Sequence, residues 1–186
     1  LQAVSKVRKL EAARAYGRDA LRRETFAREM TEALAIPVKA ADSAEAAVRF
    51  GEIIITATTS RDPVLKGAWL GHGAHVNAIG ANMPDRRELD DQALARAATI
   101  AVDTIEQARQ EAGDLVQGLS AIRGGWESVM ELREIVAGGR VGRHSEDDIT
   151  IFKSSGIALW DVMAAASIYR EALKQGRGRE IGLWQE

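Results

Sequence analysis

The residues EIIITA, at positions 52–57, form the clearest strand in the sequence. Isoleucine is β-branched and favours extended backbone, and an unbroken apolar run is typical of a parallel strand buried on both faces. Hydroxyl-rich positions follow at once, with Thr56, Thr58, Thr59 and Ser60. The stretch therefore predicts a buried parallel strand whose carboxyl end carries polar groups, although Ser and Thr are also common in simple turns.

Short apolar runs and amphipathic stretches alternate on both sides of this strand. Further strands are predicted at 12–16, 36–40, 75–79 and 99–103 and within DDITIFK, 147–153. Helices are predicted at 1–9, 20–34, 43–50, about 90–97, 105–111, 126–138 and about 158–174, the last stopped by Gly176. This alternation predicts an α/β fold with a doubly wound, mostly parallel sheet and a C-terminal helical extension.

Composition excludes several classes of protein. The 186 residues carry a formal net charge of -2, so we expect no nucleic-acid partner. No apolar run approaches the roughly 20 residues that cross a bilayer, so we expect no membrane partner. The absence of cysteine fits a reducing compartment, and we expect a cytoplasmic protein. The chain opens without Met and as if inside a helix, which predicts a part of a longer protein.

The first predicted helix and strand resemble the middle of a dinucleotide-binding unit. Such a unit needs a strand, a glycine-rich turn, a helix, a second strand and a residue that contacts the ribose. The first strand and the glycine turn are absent from this chain, but the tip of the second strand is present as Gly17-Arg18-Asp19. An arginine there pairs with a 2′-phosphate, so Arg18 favours NADP over NAD. The alternative is that Arg18, Arg22 and Arg23 form a solvated surface.

Two more strand ends carry polar or small residues. Gly80 would let a flat ring approach the backbone, and Asn82 offers a donor and an acceptor. Lys153–Gly156 lies between a strand and a helix N-terminus, a natural polar binding site. Since ligands bind past the carboxyl ends of parallel strands, these groups are predicted to share one crevice. The alternatives are a proline-closed turn and a serine helix cap.

No metal site is predicted. His72, His75 and His144 lack ligand spacing to one another or to paired carboxylates. Asp161, in the first turn of the last helix, is expected to be structural.

Three stretches resemble the ornithine cyclodeaminase/mu-crystallin family over nearly the whole chain. They are ITATTSRDPVLKGAWLGHGAHVNAIGANMPDRRELD, VDTIEQARQEAGDL and ITIFKSSGIALWDVMAAASIYREA, at 55–90, 102–115 and 149–172. The resemblance implies a truncated Rossmann domain at 1–155 and, at 156–186, a C-terminal helix and tail that return towards a substrate and dimerisation domain. It also implies a homodimer in the full-length protein, NAD or NADP as cofactor, and a small-molecule substrate that is an amino acid or its imine.

The resemblance also assigns residues by position. Arg18 would face the adenosine ribose; Thr56, Ala57 and Thr58 would line the cofactor cleft; Ala78, Ile79 and Gly80 would pass the nicotinamide; and Lys153, Ser154 and Gly156 would lie at its nicotinamide end.

One departure bears on the reaction. The cyclodeaminases that this chain resembles have an aspartate where Asn82 stands, and asparagine cannot act as a general base. Asn82, the candidate catalytic residue, would instead orient a substrate. We therefore expect an NAD(P)-dependent reductase or dehydrogenase acting on a cyclic imino acid (a ketimine such as a pyrroline- or piperideine-carboxylate) or an amino acid. The alternatives are an ornithine cyclodeaminase and a non-catalytic, mu-crystallin-like binding or structural protein. No strong candidate acid is apparent, so the proton donor is expected from the remainder of the protein.

Overall fold

The computed structural model describes residues 1–179 and 181, so residues 180 and 182–186 of the predicted C-terminal segment lie outside the described part. The strands are β1 (Ala13–Ala15), β2 (Val38–Ala40), β3 (Ile53–Thr56), β4 (His75–Ala78), β5 (Ala97–Val102), β6 (Met130–Glu131) and β7 (Ile149–Lys153). The helices are α1 (Gln2–Ser5), α2 (Ala20–Leu34), α3 (Ala44–Phe50), α4 (Asp91–Arg96), α5 (Ile105–Glu111), α6 (Gly113–Gln117), α7 (Leu132–Val136) and α8 (Ala158–Lys174).

The strands form two sheets. Five of them pair in the order β3-β4-β7-β5-β6, and β1 pairs with β2 separately. Every pairing is parallel, which confirms the α/β fold with a parallel sheet. The core that holds the larger sheet is apolar and includes Val76, Val102 and Ile151 from three of its strands.

Strand β3 is not buried on both faces, contrary to the prediction. It lies at the edge of the larger sheet, and Ile55 is 38% exposed, whereas Ile54 is buried. The three isoleucines therefore reflect the β propensity of branched side chains rather than cover on both sides.

Several predicted helices have the predicted bounds. Helices α2 and α5 begin and end where expected. Asp19 caps the start of α2, since its side chain accepts a hydrogen bond from the Arg22 N–H at 3.0 Å. Ser43 caps α3 in the same way. The first helix is shorter than predicted: it covers Gln2–Ser5, whereas the prediction was 1–9.

The predicted helix at 126–138 is wrong in its first half. Met130 and Glu131 pair with Ala101 and Val102 as strand β6, so the helix starts only at Leu132. Glu131 and Glu134 form a reciprocal capping box there, which fixes the helix start. Pairing with a neighbouring strand has overridden the local helical period.

By its internal contacts the chain divides into two compact units, Leu1–Ser155 and Gly156–Glu186. The second unit contains α8, with Asp161 in its first turn. Gly176 has a φ of +61°, a backbone conformation that favours glycine. Within the part of the chain that is described, none of the helices is long and apolar enough to cross a membrane.

Candidate functional site

The carboxyl ends of four strands meet in one row of the larger sheet. Thr56 pairs with Ala78, Ala78 with Lys153, and Lys153 with Val102. Since these strands are parallel, their carboxyl ends lie at the same edge of the sheet. The residues predicted at the ends of β3, β4 and β7 are therefore brought together, and open α/β sheets bind ligands at this edge.

The row has a buried layer and an exposed layer. Thr56, Ala78 and Lys153 are buried, whereas Ala57 and Thr58, which follow β3, are exposed. Ile79 and Asn82, which follow β4, are exposed too. The exposed layer is the surface available to a ligand, and the buried layer supports it.

Two predicted site residues lie outside this row. Arg18 is exposed and follows β1, which belongs to the separate two-stranded sheet. Gly156 belongs to the second compact unit and has a φ of +80°. Ser154, directly after β7, is half-buried.

Beneath the strand ends lies a carboxylate that the sequence analysis did not select. Glu88 is fully buried, and its Oε2 accepts hydrogen bonds from Thr56 Oγ1 and from the Gly80 N–H, both at 2.8 Å. Its Oε1 accepts one from the Thr58 N–H at 2.5 Å. A single carboxylate therefore joins the end of β3 to the end of β4.

Lys153 and Asp114 lie next to Glu88, and the three residues form what we call the buried charge cluster. Asp114 Oδ1 accepts hydrogen bonds from the N–H groups of Glu88 and Leu89, at 2.6 and 2.8 Å. Its Oδ2 lies 3.7 Å from Lys153 Nζ, which also donates to the carbonyls of Ala78 and Ser154 at 3.3 and 3.2 Å. The cluster thus extends from β3 to β7.

Burial shifts the pKa values of both members of the Lys153–Asp114 pair. Loss of hydration lowers the pKa of Lys153, while the carboxylates of Asp114 and Glu88 act against that shift. Loss of hydration raises the pKa of Asp114, against its hydrogen bond from Leu89 and the attraction of Lys153. The charged forms therefore depend on each other, because each loses the hydration that would otherwise stabilise it.

A third carboxylate holds the loop after β7. Asp103, directly after β5, accepts hydrogen bonds at Oδ2 from Ser154 Oγ at 2.7 Å and from the Ser155 N–H at 2.9 Å. The predicted residue Ser154 is therefore fixed by a neighbouring strand end.

Gly80 is required by its protein neighbours. A Cβ at this position would overlap the backbone N and O of Thr58 and press against Glu88 Oε1. From the sequence we predict that this glycine admits a flat ring; the structure adds an internal reason for it, the close approach of the two strand ends.

Glu88 and Asp114 were missed because nothing in their local sequence marks them as buried, and Asp103 was missed as well. Glu88 stands in the charged run DRRELDD, which looks solvated. Asp103, at the end of the predicted strand TIAVD, is the one that its position past a strand end could have identified.

The histidines are dispersed. His75 Nδ1 lies 2.8 Å from Thr150 Oγ1, while His72 Nδ1 lies 3.8 Å from an Asp147 carboxylate oxygen at the surface. Among residues 1–179 and 181, no group of three or more His, Asp or Glu side chains is arranged to hold a metal ion.

The chain is similar to several proteins of known structure or activity. It is 35% identical to a Δ1-pyrroline-2-carboxylate reductase of Bacillus cereus over 187 residues, covering 97% of this chain and 55% of that protein. It matches a Thermococcus litoralis Δ1-pyrroline-2-carboxylate reductase, solved with NADH and L-proline, at 37% identity and a TM-score of 0.91, over 97% of this chain and 56% of the other. An archaeal alanine dehydrogenase dimer with bound NAD matches at 35% identity and a TM-score of 0.86, over 98% and 56%.

These similarities confirm the Rossmann-like α/β fold. The chain spans about half the length of the relatives that it matches. The model of the ornithine cyclodeaminase/mu-crystallin family matches residues 1–176. The chain therefore belongs to the ornithine cyclodeaminase/mu-crystallin family.

Proposed function

We propose that the protein containing this chain is an NAD(P)-dependent reductase or dehydrogenase acting on a small cyclic imino acid or an amino acid. The observation that carries the proposal is the close structural match to the reductase solved with NADH and L-proline. The shared edge of strand ends agrees with it, since that edge is where such a sheet binds a dinucleotide.

The exposed layer suits the proposed cofactor. Ile79 is 48% exposed directly after β4, and it offers an apolar surface on which a flat ring can lie. Ala57 and Thr58 stand beside it after β3, where they would line the cofactor cleft, with Thr56 buried beneath them. When bound, the cofactor supplies hydride transfer, and the chain's own residues hold and orient it.

We propose that the residues after β7 act at the nicotinamide end of the site. Because Lys153 is buried and donates to two backbone carbonyls, it would act by orienting Ala78 and Ser154 from below. Ser154 and Gly156 would contribute from the loop that follows, with Ser154 held by Asp103.

Asn82 favours a reduction or dehydrogenation over cyclodeamination. It is exposed beyond β4, where its amide can donate to and accept from a bound substrate, but it cannot remove a proton near neutral pH. Glu88 and Asp114 are both fully buried, which keeps them from contact with a substrate in the crevice. The proton that imine reduction needs would therefore come from the remainder of the protein.

We propose NADP as the preferred cofactor. Arg18 is an exposed cation at the tip of β1, and Asp19 beside it is occupied as the cap of α2. A guanidinium at this place would pair with the 2′-phosphate of NADP.

We also propose that the full-length protein is a homodimer that works in the cytoplasm. The archaeal alanine dehydrogenase is a dimer. Helix α8 carries large exposed apolar side chains, which are Leu159, Trp160, Val162, Met163, Ile168, Tyr169 and Leu173, and such a surface is typical of an interface. The absence of cysteine suits a reducing compartment.

The proposed function is tested by titrating the full-length protein with NADPH and NADH, followed by fluorescence, and by assaying Δ1-pyrroline-2-carboxylate, a piperideine carboxylate, ornithine and alanine. Oxidation of NADPH that depends on a cyclic imine would support the proposal. Release of ammonia from ornithine would support cyclodeamination instead. Failure to bind either cofactor would favour a non-catalytic role.

A further inference from the structure

Glu88 is fully buried beneath the exposed layer, and all three hydrogen bonds of its carboxylate are made to the strand ends that carry that layer. It accepts from Thr56 and Thr58 after β3 and from Gly80 after β4. Two of these donors are backbone N–H groups, those of Thr58 and Gly80, so the carboxylate fixes the position of the backbone as well as that of a side chain. Main chain in turn sets where the exposed residues Ala57 and Ile79 stand.

The other two members of the buried charge cluster, Asp114 and Lys153, hold the backbone around Glu88 and β4. Asp114 accepts from the Glu88 N–H, and Lys153 supplies the positive charge of the cluster, 3.7 Å from Asp114. Lys153 also donates to the carbonyl of Ala78, which is the β4 residue that pairs with Thr56. The ends of β3 and β4 are therefore held from below by a cation and an anion together.

Stability alone does not require such an arrangement. A buried ion pair is often no more stabilising than apolar side chains of the same volume, because the charges lose their hydration. Here the chain also has glycine at position 80, since a side chain there would collide with Thr58 and with Glu88 itself. The glycine permits the close approach of the two strand ends, and the carboxylate fixes it through directed hydrogen bonds. Apolar side chains in place of the carboxylate would not fix the distance between the strand ends in this way.

We propose that Glu88 is a positioning residue for cofactor binding: its buried carboxylate sets the spacing of the β3 and β4 ends that receive the nicotinamide half of the cofactor. This inference rests on the proposed function. Glu88 does not touch the cofactor; it acts through Thr58 and Gly80.

Glutamine is the informative replacement for Glu88. Its side chain has the same shape, but it offers one oxygen where the carboxylate offers two. With that oxygen at the Oε1 position, the amide nitrogen faces the Gly80 N–H; with the oxygen at the Oε2 position, it faces the Thr58 N–H. Either way one backbone donor loses its acceptor and meets another donor.

We expect Glu88→Gln to raise the Kd for the reduced cofactor about tenfold, because binding would have to restore the spacing of the strand ends at a cost comparable to one hydrogen bond to a charged acceptor. The KM for the imino acid, measured at saturating cofactor, should change less than twofold, because Glu88 does not face the substrate. This split separates positioning from a general loss of structure. Circular dichroism and thermal unfolding, with binding measured well below the Tm, establish that the variant is folded.

Glu52→Gln is the matched control. It makes the same chemical change at an exposed carboxylate directly before β3, at the opposite end of that strand, and both constants should equal those of the wild type. Thr56→Val is the second variant. It replaces the hydroxyl that donates to Glu88 by a methyl group. If Glu88→Gln does not fold, this variant tests whether the Glu88 contact affects cofactor binding. It should raise the cofactor Kd about threefold to tenfold.

The outcomes separate the inference from the proposed function. If the wild type binds neither NADH nor NADPH, the proposed function fails and the inference fails with it. If the wild type binds and turns over but Glu88→Gln matches Glu52→Gln, the inference alone is overturned. An unfolded Glu88→Gln together with an unchanged Thr56→Val would overturn it equally.

Discussion

Replacing Lys153 by methionine removes the cation of the buried charge cluster while keeping a side chain of similar length. The ammonium lies 3.7 Å from Asp114 Oδ2 and donates to the carbonyls of Ala78 and Ser154. Methionine can replace none of these contacts. We therefore expect Lys153→Met to lower the free energy of unfolding substantially.

The structure allows the size of this loss to be judged. Removing one partner of a buried ion pair costs about 3–5 kcal/mol. Asp114 keeps two backbone hydrogen bonds at Oδ1, and burial already raises its pKa, so that it protonates more readily once the lysine is gone. Both features limit the cost, so we expect a loss of about 3 kcal/mol, at the lower end of the range. With a urea dependence of about 2 kcal/mol per molar, the midpoint would fall by about 1.5 M.

Urea unfolding followed by tryptophan fluorescence measures this loss, since Trp69 and Trp126 pack against the core. Lys39→Met, at an exposed position of β2, is the control and should stay within about 0.5 kcal/mol of the wild type. Asp114→Asn and the double variant complete a cycle, in which the two changes together should cost at least about 1 kcal/mol less than their sum. A Lys153→Met midpoint equal to that of Lys39→Met would contradict a stabilising buried ion pair between Lys153 and Asp114, and so would strict additivity.

Three further predictions concern the cofactor, the substrate and pH. Arg18→Ala should raise the Kd for NADPH about tenfold or more, while the Kd for NADH changes little, because only the 2′-phosphate loses its partner. Asn82→Asp should change kcat or substrate preference and leave cofactor Kd nearly constant, since we propose that Asn82 orients the substrate. Burial lowers the pKa of His75 below its ordinary value of about 6.5, so the folded protein binds fewer protons there than the unfolded chain. Stability from His75 is thus present above pH 6.5 and lost as the pH falls below it. His75→Asn should flatten the dependence of Tm on pH between 5 and 7, whereas His72→Asn, at an exposed site, should not.

Each of these has a contrary result. Equal weakening of both nucleotides by Arg18→Ala would remove the ribose-phosphate assignment. A large loss of cofactor affinity in Asn82→Asp would place that residue against the cofactor. An unchanged slope of Tm against pH in His75→Asn would show that folding does not lower the pKa of this histidine.

Features encoded within a few residues of sequence could be predicted. The bounds of helix α2 and the end of α8 shortly before Gly176 follow local rules of backbone chemistry. The end of β4 was located by Gly80 and the proline that follows. Met130 and Glu131 could not be assigned, because their strand exists only through its pairing with β5.

The two layers of the candidate site differ in the same way, since one depends on local sequence and the other on contacts between distant segments. Thr58 and Ile79 lie in the exposed layer: Thr58 follows a strand whose apolar run shows where it ends, and Ile79 was assigned by the family resemblance. Glu88 lies in the buried layer, and its acceptors are filled by residues 32, 30 and 8 positions earlier in the chain. A charged side chain is buried only when such partners converge on it, and a charged run in the sequence gives no indication that they do. Sequence can therefore locate the surface that a ligand would touch, whereas the carboxylate that shapes this surface emerges only once the strand ends are placed side by side.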